Sequence, residues 1–285
     1  MSRLGSSDKP GSRFAEDASG IVSTSYSDRV LAALHDSTLA ATSVSRTTRP
    51  TPFYVIASPR ALCGKTFLAL LMADYLFQDG GNVDAYDLNP GEYALAACRP
   101  GITTKADLST TPGQIALFDR LIANEGKAKL IDLGYSLFER FFDLCEQIEF
   151  VEAARRRGFE VIILFPAEPH PSATAAYETM QRRFPNAVLV PVLNEAILKG
   201  ERVHQSYQVD RESAAALQVP FMPPVLKAYA DRLSQSLAHV RAQSPANMPK
   251  GQALELRSWT RGVFLEFREF ELRLTLEKLR TSLRT

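Results

Sequence analysis

One segment near the start of the chain constrains the fold more than any other. An apolar stretch begins at Phe53, passes through an abrupt turn that ends Gly64-Lys65-Thr66, and continues as a helical pattern to Gln78. A β-type stretch, a tight turn, Gly-Lys-Thr and an amphipathic helix are together typical of a P-loop, a backbone motif that binds phosphate groups. The segment therefore predicts a strand followed by a helix, with a polyphosphate site at the turn between them.

Each part of this turn would have a chemical role. Backbone N–H groups of the turn and the positive end of the helix cradle a polyphosphate. Lys65 would reach the β and γ oxygens, and the Thr66 hydroxyl would bind Mg²⁺. Gly64 lets the backbone approach the phosphates because it has no Cβ. However, the usual motif has glycine where this chain has Pro59. An ordinary strand–turn–helix without a phosphate site could also contain Gly-Lys-Thr, so the choice between these two interpretations depends on the other strands.

The turn is similar to a known variant of the motif. Residues Ser58 to Thr66 resemble the deviant P-loop of the ParA/MinD family of ATPases, which needs no glycine at the Pro59 position. Arg60 lies where that family has its signature lysine, and Cys63 lies where the family tolerates any small residue. The resemblance implies a site for ATP and Mg²⁺.

Later segments resemble the remaining strands of the same family, in the same order. They are residues 82–90, similar to the strand that ends Asp-x-Asp-Pro, residues 129–134, similar to the Walker B strand, and residues 160–166, 187–194 and 219–223. Apolar strands that alternate with helical stretches are typical of a mostly parallel sheet with helices on both faces. The predicted fold class is therefore α/β, a P-loop NTPase of the ParA/MinD type, with an added C-terminal amphipathic helix.

The resemblance also implies roles for residues beyond the loop. Asn194 would contact the adenine, and Asp132 would hold a Mg²⁺-bound water in the second shell of the metal. Asp87 would help to organise the metal shell and is the candidate catalytic residue. The residues expected to bind nucleotide are Arg60, Cys63, Gly64, Lys65, Thr66 and Asn194, and those expected to serve the metal are Thr66 and Asp132.

Three departures from the family pattern bear on activity. Ala61 and Leu62 replace paired glycines that let two family subunits pack face to face, and a leucine adds bulk where backbones should approach closely. Arg60 keeps the charge of the signature lysine, but its planar fork makes a different contact. Asn89 replaces the second carboxylate of Asp-x-Asp, and an amide has no negative charge to polarise an attacking water. The sequence thus supports nucleotide binding better than hydrolysis.

The composition of the chain limits its domain size, its partners and its cellular compartment. The chain has 285 residues, 45% of them hydrophobic, which suits one medium α/β domain with extensions. Its net charge of +1 gives no global argument for nucleic-acid binding. Cys63, Cys98 and Cys145 are widely spaced and odd in number, which argues against a disulfide framework and favours a reducing compartment. No apolar run is long enough to span a bilayer, so a cytoplasmic protein without a transmembrane segment is predicted.

Three parts are predicted along the chain. Residues 1–50 are rich in Ser, Thr, Gly and Arg and are expected to be largely disordered, with one short helix capped by Ser27 or Asp28. Residues 51–242 form the nucleotide-binding domain, and residues 243–285 form a linker and one long amphipathic helix. The helical stretches predicted within the domain are 65–78, 112–124, 136–157, 171–184, 210–217 and 225–242.

The C-terminal helix admits more than one interpretation. Trp259, Phe264, Phe267, Phe270 and several leucines are interspersed with arginines. Packing of the apolar face on the domain is the simplest interpretation, because amphipathic helices commonly bury that face. Binding to an acidic membrane surface, to a partner helix or to DNA are the alternatives.

Three functions compete on these grounds. The first is a ParA/MinD-like ATP-binding switch that serves DNA or plasmid segregation, maintenance or transfer, or that positions a cellular complex. ATP would join two subunits into a homodimer, with at most weak hydrolysis, and the partner would be DNA or a protein. The second is a hydrolysis-deficient scaffold or regulator with the same fold. The third, a small-molecule kinase, is disfavoured because no arginine-rich lid can be identified.

Overall fold

A computed structural model of the protein describes residues 50–78, 81–201, 203, 207, 216–230, 237 and 248–283. The extension predicted before residue 50, with its helix at Ser27 or Asp28, lies outside the described residues. So do residues 210–215 of one predicted helical stretch, most of residues 231–242 of the next, and the linker up to residue 247. The predicted boundaries between the three parts of the chain stay predictions.

The described strands form one parallel sheet. They are β1 (Thr51–Ile56), β2 (Val83–Leu88), β3 (Thr103–Lys105), β4 (Ala128–Leu133), β5 (Phe159–Pro166), β6 (Val188–Asn194) and β7 (Leu217–Val219). Their order across the sheet is β3-β2-β4-β1-β5-β6-β7, and every neighbouring pair is parallel. Strands β1 and β5, at the centre of the sheet, are nearly continuous runs of buried apolar residues, as a parallel sheet covered on both faces requires.

Helices cover both faces of this sheet. They are α1 (Lys65–Phe77), α2 (Ala94–Cys98), α3 (Thr111–Ile122), α4 (Phe138–Gln147), α5 (Phe150–Arg156), α6 (Pro171–Arg183), α7 (Glu195–Leu198), α8 (Pro224–Ala230) and α9 (Lys250–Ser282). On one face, Phe53 and Val55 of β1 pack with α3 to α6, and on the other face Tyr54 and Ile56 pack with α1, α8 and α9. Alternate residues of one strand thus enter two cores, and the predicted α/β class is confirmed.

The strand order creates a crevice beside β1. After β1 the chain passes through α1 to β2, which lies on one side of β1, with β4 between them. After β4 the chain crosses to β5, which lies on the other side of β1. Ligands of parallel sheets bind beyond the carboxyl ends of the strands where the order reverses in this way. In register, Ile56 is level with Asp132 of β4, and Asp132 is level with Asp87 of β2. The loop after β1 and these two carboxylates therefore meet at one edge of the sheet.

Helix α9 belongs to the second core. Its buried residues recur at spacings of three and four, as in Leu256, Thr260, Val263, Phe267, Phe270 and Leu274. Tyr75 of α1 meets Phe264 and Phe267 edge to face, with ring centroids 5.7 and 5.4 Å apart, and the Tyr54 hydroxyl donates to Glu271 Oε1 at 2.8 Å. The prediction that this helix packs its apolar face on the domain is confirmed. No helix in the described ranges, α9 included, is long and apolar enough to cross a membrane.

Three local features differ from the predictions. The last strand, expected over residues 219–223, lies at Leu217–Val219, because Pro220 has no N–H to donate to a sheet and residues 220–223 form a loop. The single helix predicted over 136–157 is wrong: a 3-10 turn at Tyr135–Leu137 leads into α4, and α5 follows after a break. The break is at Glu149, whose φ of 49° is left-handed, and it brings Phe150 against Phe53 with ring centroids 5.5 Å apart. Both helices face the same core, so their apolar spacing does not reveal the break. Helix α2 and strand β3 are too short to give a periodic signal and are not predicted.

Candidate functional site

The loop after β1 has two residues in the left-handed region. Gly64 has a φ of 81°, which strains any other residue, and a Cβ there would press on the Asn194 side-chain amide, 3.0 Å from Nδ2. Leu62 has a φ of 60° although it carries a side chain, and that side chain is 96% exposed. This conformation costs roughly 1 kcal/mol, and no burial offsets it. The leucine predicted to crowd a subunit interface therefore points into solvent.

Lys65 begins α1 and lies buried beneath the loop. Its Nζ donates to the Arg60 carbonyl at 2.5 Å and to Cys63 Sγ at 3.4 Å. The Cys63 thiol also donates to the Arg60 carbonyl, at 3.4 Å. The loop thus wraps around the ammonium group with acceptors of its own. Phosphate oxygens are stronger acceptors for an ammonium group than a carbonyl or a thiol, because the contact pairs two charges.

Arg60 is bound on the other side of the loop. Its Nε lies 2.6 Å from Glu168 Oε2, just beyond the end of β5. Within the described residues neither atom has an aligned hydrogen bond, so the contact rests on charge attraction. The backbone N–H and C=O of Glu168 both bond the buried Tyr207 hydroxyl, at 3.1 and 2.9 Å. Tyr207 therefore fixes the backbone of Glu168, and the carboxylate of Glu168 attracts the guanidinium of Arg60.

Asp132 is a buried carboxylate near the end of β4, with 1% of its surface exposed. Burial raises the pKa of Asp132 to about 6, against a lowering effect of the hydrogen bond to the Thr66 hydroxyl. Its Oδ2 has no hydrogen-bond partner in the described part of the chain. A buried acceptor without a partner costs free energy and usually marks the place of a water or an ion. The two predicted metal residues, Thr66 and Asp132, therefore lie together beside an unsatisfied oxygen.

Asp87, the candidate catalytic residue, is fully buried at the end of β2. One carboxylate oxygen accepts the Asn89 N–H at 3.1 Å, and the other accepts the Ala96 N–H at 3.0 Å. These bonds make Asp87 an organiser of the loop between β2 and α2. Its part in a metal shell or in catalysis stays a prediction.

A cavity of about 430 Å³ opens beside the loop, within the usual size of small-molecule sites. Gly64, Lys65 and Thr66 line one part of it, and Asn194 lines it as well. The other residues that follow β6 or β7 and line it are Ala196, Ile197, Pro220 and Met222. Asn194 Oδ1 accepts the Ala196 N–H at 3.0 Å, which caps α7 and fixes the direction of the amide. Four of the six predicted nucleotide-binding residues thus share one cavity.

The other two predicted nucleotide-binding residues lie elsewhere. Cys63 is buried under the loop beside Lys65. Arg60 lines a second cavity of about 460 Å³, between the loop and helices α4 and α6, with Phe138 and Met180. In this conformation the guanidinium therefore faces away from the site that the glycine and lysine of the loop form.

Among the cavity-lining residues that sequence reasoning missed, three have polar or charged side chains: Glu92, Tyr135 and Lys227. Glu92 and Tyr135 follow β2 and β4 in loops that begin at the carboxyl edge of the sheet. Polar residues soon after a strand that ends at a site are the signal that could have identified them. Lys227 lies on α8, far from any motif, and only the fold brings it to the cavity.

The donor set fits a Mg²⁺ ion that is shared with a phosphate ligand. Among the described residues no group of three His, Cys, Asp or Glu side chains could hold a metal. Mg²⁺ keeps several waters and commonly takes only one or two protein oxygens together with substrate phosphates. The Thr66 hydroxyl and the unpartnered Oδ2 of Asp132 supply oxygens of that kind.

Comparison with known proteins does not assign this chain to a family. A scan against protein-family models finds no match, and a search of curated proteins finds none. The fold defines the class as a parallel α/β protein with a glycine-lysine-threonine loop at the carboxyl edge of its sheet.

Proposed function

We propose that this protein is an ATP-binding switch of the ParA/MinD kind. The observation that carries the proposal is the shared cavity, which Gly64-Lys65-Thr66 and Asn194 line together. A cleft of this size holds a nucleotide, with the phosphates against the loop and the base among the residues that follow β6 and β7. The partner-free oxygen of buried Asp132 supports a Mg²⁺ ion at the phosphate end.

Each residue has a defined task in such a site. The N-terminus of α1 and the loop N–H groups attract the phosphates, since a helix N-terminus carries partial positive charge. Lys65 exchanges the Arg60 carbonyl and the Cys63 thiol for phosphate oxygens. Mg²⁺, when bound, neutralises phosphate charge, and the Thr66 hydroxyl and Asp132 hold its shell. Asn194 Nδ2 is left to donate to an acceptor on the base, because Oδ1 is used in the helix cap.

The switch would act by nucleotide-dependent association in the cytoplasm, with a second copy, DNA or a protein as partner. DNA or plasmid segregation, maintenance or transfer, and the positioning of a cellular complex, are the tasks that the family resemblance implies. The exposed side chain of Leu62 lies where the paired glycines of the family let two subunits approach, so it would weaken that association.

A scaffold or regulator that binds nucleotide without turnover is the second candidate. The specific observation in its favour is the loop after β2, where both oxygens of Asp87 are used by backbone N–H groups and Asn89 is an amide. Neither residue then offers a free carboxylate to a water.

Isothermal titration of the full chain with ATP and ADP, with and without Mg²⁺, tests the proposal. Lys65→Ala should weaken Mg-ATP binding by roughly 1.5–3 kcal/mol, about 10- to 150-fold, because a charge-assisted contact is lost. Lys250→Ala, at the exposed start of α9, is the matched control and should bind as the wild type does. Equal binding by the wild type and Lys65→Ala, or no binding by either, refutes the proposal.

A further inference from the structure

The loop after β2 places a carboxylate beside the amide that replaces the family's second aspartate. Glu92 Oε2 accepts a hydrogen bond from Asn89 Nδ2 at 3.3 Å. The two residues belong to one tight turn, in which the N–H groups of Glu92 and Tyr93 both donate to the Asn89 carbonyl, at 3.3 and 3.0 Å. The missing negative charge of Asn89 is thus present three residues later along the chain.

The backbone of this turn has a defined conformation, because a buried side chain accepts hydrogen bonds from both of its ends. Asp87 bonds the N–H groups of Asn89 and Ala96 and so clamps both ends of the segment. The Asn89 side chain also lies against the end of β4, where a Cβ on Gly134 would be 2.9 Å from Asn89 Oδ1. With Oδ1 set against Gly134, the amide N–H₂ of Asn89 is directed to Glu92. The carboxylate of Glu92 is exposed, and Asn89 holds one of its oxygens.

Glu92 and Asn89 line the same cavity as Lys65 and Thr66. Lys65 is expected to bind the β and γ oxygens, so this part of the cavity is where a γ-phosphate would end. Glu92 is also near enough to Asp132 to raise the pKa of that carboxyl. A carboxylate in this position can orient a water and accept a proton from it.

We propose that Glu92 is the catalytic carboxylate of a slow ATP hydrolysis in this cavity, and that Asn89 is its positioning residue. The inference rests on the proposed nucleotide site. The water oxygen forms a bond to the γ-phosphorus while the bond from that phosphorus to the β–γ bridging oxygen breaks. The bridging electron pair leaves with ADP, and the proton of the water passes to Glu92 and then to solvent. Asn89 donates to one carboxylate oxygen and so directs the carboxylate of Glu92 at the water.

The experiment compares the full-length wild type with Glu92→Gln, Glu92→Asp and Asn89→Asp, and uses Glu178→Gln on the exposed surface of α6 as control. Turnover of Mg-ATP and titration with a non-hydrolysable ATP analogue and ADP are measured for each. Glu92→Gln should lower kcat by about 10²-fold, the usual contribution of a general base. It should also bind the triphosphate analogue more tightly with ADP binding unchanged, because a negative charge facing the γ-phosphate is removed.

The other variants separate catalysis from structure. Glu92→Asp should recover part of the turnover, since it restores the charge on a shorter side chain. Asn89→Asp should lower turnover, because two carboxylates would then repel each other 3.3 Å apart. Three results would refute the role of Glu92 and leave the nucleotide site unaffected. They are wild-type turnover by Glu92→Gln, ATP binding without turnover by the wild type, and faster turnover by Asn89→Asp than by the wild type. If the wild type binds no nucleotide, both proposals fall.

Discussion

Two buried aspartates of this protein have the same exposure and opposite surroundings. Asp74 on α1 and Asp132 on β4 are each 1% exposed. Asp74 receives a two-pronged contact from Arg99, with Nε to Oδ1 at 2.6 Å and a second guanidinium nitrogen to Oδ2 at 2.7 Å, and Oδ2 also accepts the Leu237 N–H at 2.6 Å. Asp132 has the Thr66 hydroxyl, and its Oδ2 has no partner in the described part of the chain.

This difference in hydrogen bonding distinguishes an aspartate that stabilises the fold from one that is expected to bind a ligand. A buried charge is tolerated when it is paired and fully hydrogen-bonded, as Asp74 is. A buried charge that is left incomplete costs stability and has to be completed by something that binds. Asp74 joins α1 to the segment that follows α2, whereas Asp132 lies beside the loop that is expected to bind phosphate. Whether both oxygens of a buried carboxylate have hydrogen-bond partners therefore distinguishes a structural from a functional residue better than its burial does.

The largest expected effect comes from breaking the complete site. Asp74→Ala should lower the free energy of unfolding by roughly 3 kcal/mol, because it leaves the largely buried guanidinium of Arg99, 12% exposed, without its partner. Urea unfolding measures this change. Asp119→Ala, an exposed aspartate on α3, is the control and should stay within about 0.5 kcal/mol of the wild type. A similarly small effect at Asp74 would mean that the buried pair contributes nothing.

The incomplete site should respond in the opposite sense. Because the pKa of Asp132 is raised from 3.8 to about 6, the folded chain holds the proton between these values while the unfolded chain has lost it. Stability therefore falls as the pH rises through this window, by roughly 3 kcal/mol in total. Asp132→Asn removes the charge and should be more stable than the wild type by roughly 1–3 kcal/mol at neutral pH.

Urea unfolding at neutral pH and near pH 4 checks the sign of this prediction. The gain from Asp132→Asn should shrink to well under about 1 kcal/mol at the acidic pH, where the folded carboxyl is protonated and the unfolded one is only about half ionised. Mg-ATP binding should weaken in the same variant. A gain that is equal at both pH values would show that the charge of Asp132 is not the cause.

A smaller effect is expected at the ion pair between Arg60 and Glu168, which is partly exposed. Glu168→Gln frees the guanidinium, and if Arg60 then turns to the phosphates, ATP should bind about two- to fivefold more tightly, as expected for a pair worth roughly 0.5–1 kcal/mol. The same change in an Arg60→Ala background is the control and should have no effect. Equal gains in both backgrounds would place the effect on the loop and not on Arg60.

The smallest effect is expected at Leu62. Leu62→Gly and Leu62→Ala both remove the exposed side chain, but only glycine accepts a φ of 60° without cost. The glycine variant should be about 0.5 kcal/mol more stable than the alanine variant in thermal unfolding. Light scattering with and without Mg-ATP should show stronger triphosphate-dependent association for Leu62→Gly than for the wild type. An equally strong wild-type dimer would show that Leu62 does not hinder association.

The sequence already contained the parallel fold and part of the site. Apolar runs of strand length, each followed by a turn and a helical pattern, predicted β1, β2, β4, β5 and β6 and the edge where their motifs meet. Helix α1 begins at Lys65, as expected from the Gly64 turn. These features can be recognised locally, since a continuous apolar run and a glycine with a positive φ are properties of neighbouring residues in the chain.

Backbone conformation at single residues and contacts that folding creates decided the rest. The break at Glu149, the contact of Arg60 with Glu168 and the approach of Glu92 to Asn89 depend on backbone dihedrals and on pairings that leave no periodic trace. Asp74 and Asp132 look alike in the sequence, as single acids within apolar segments. Only the fold brings Arg99 to the first and leaves an oxygen of the second without a partner, because a side chain's partners are set by packing in three dimensions.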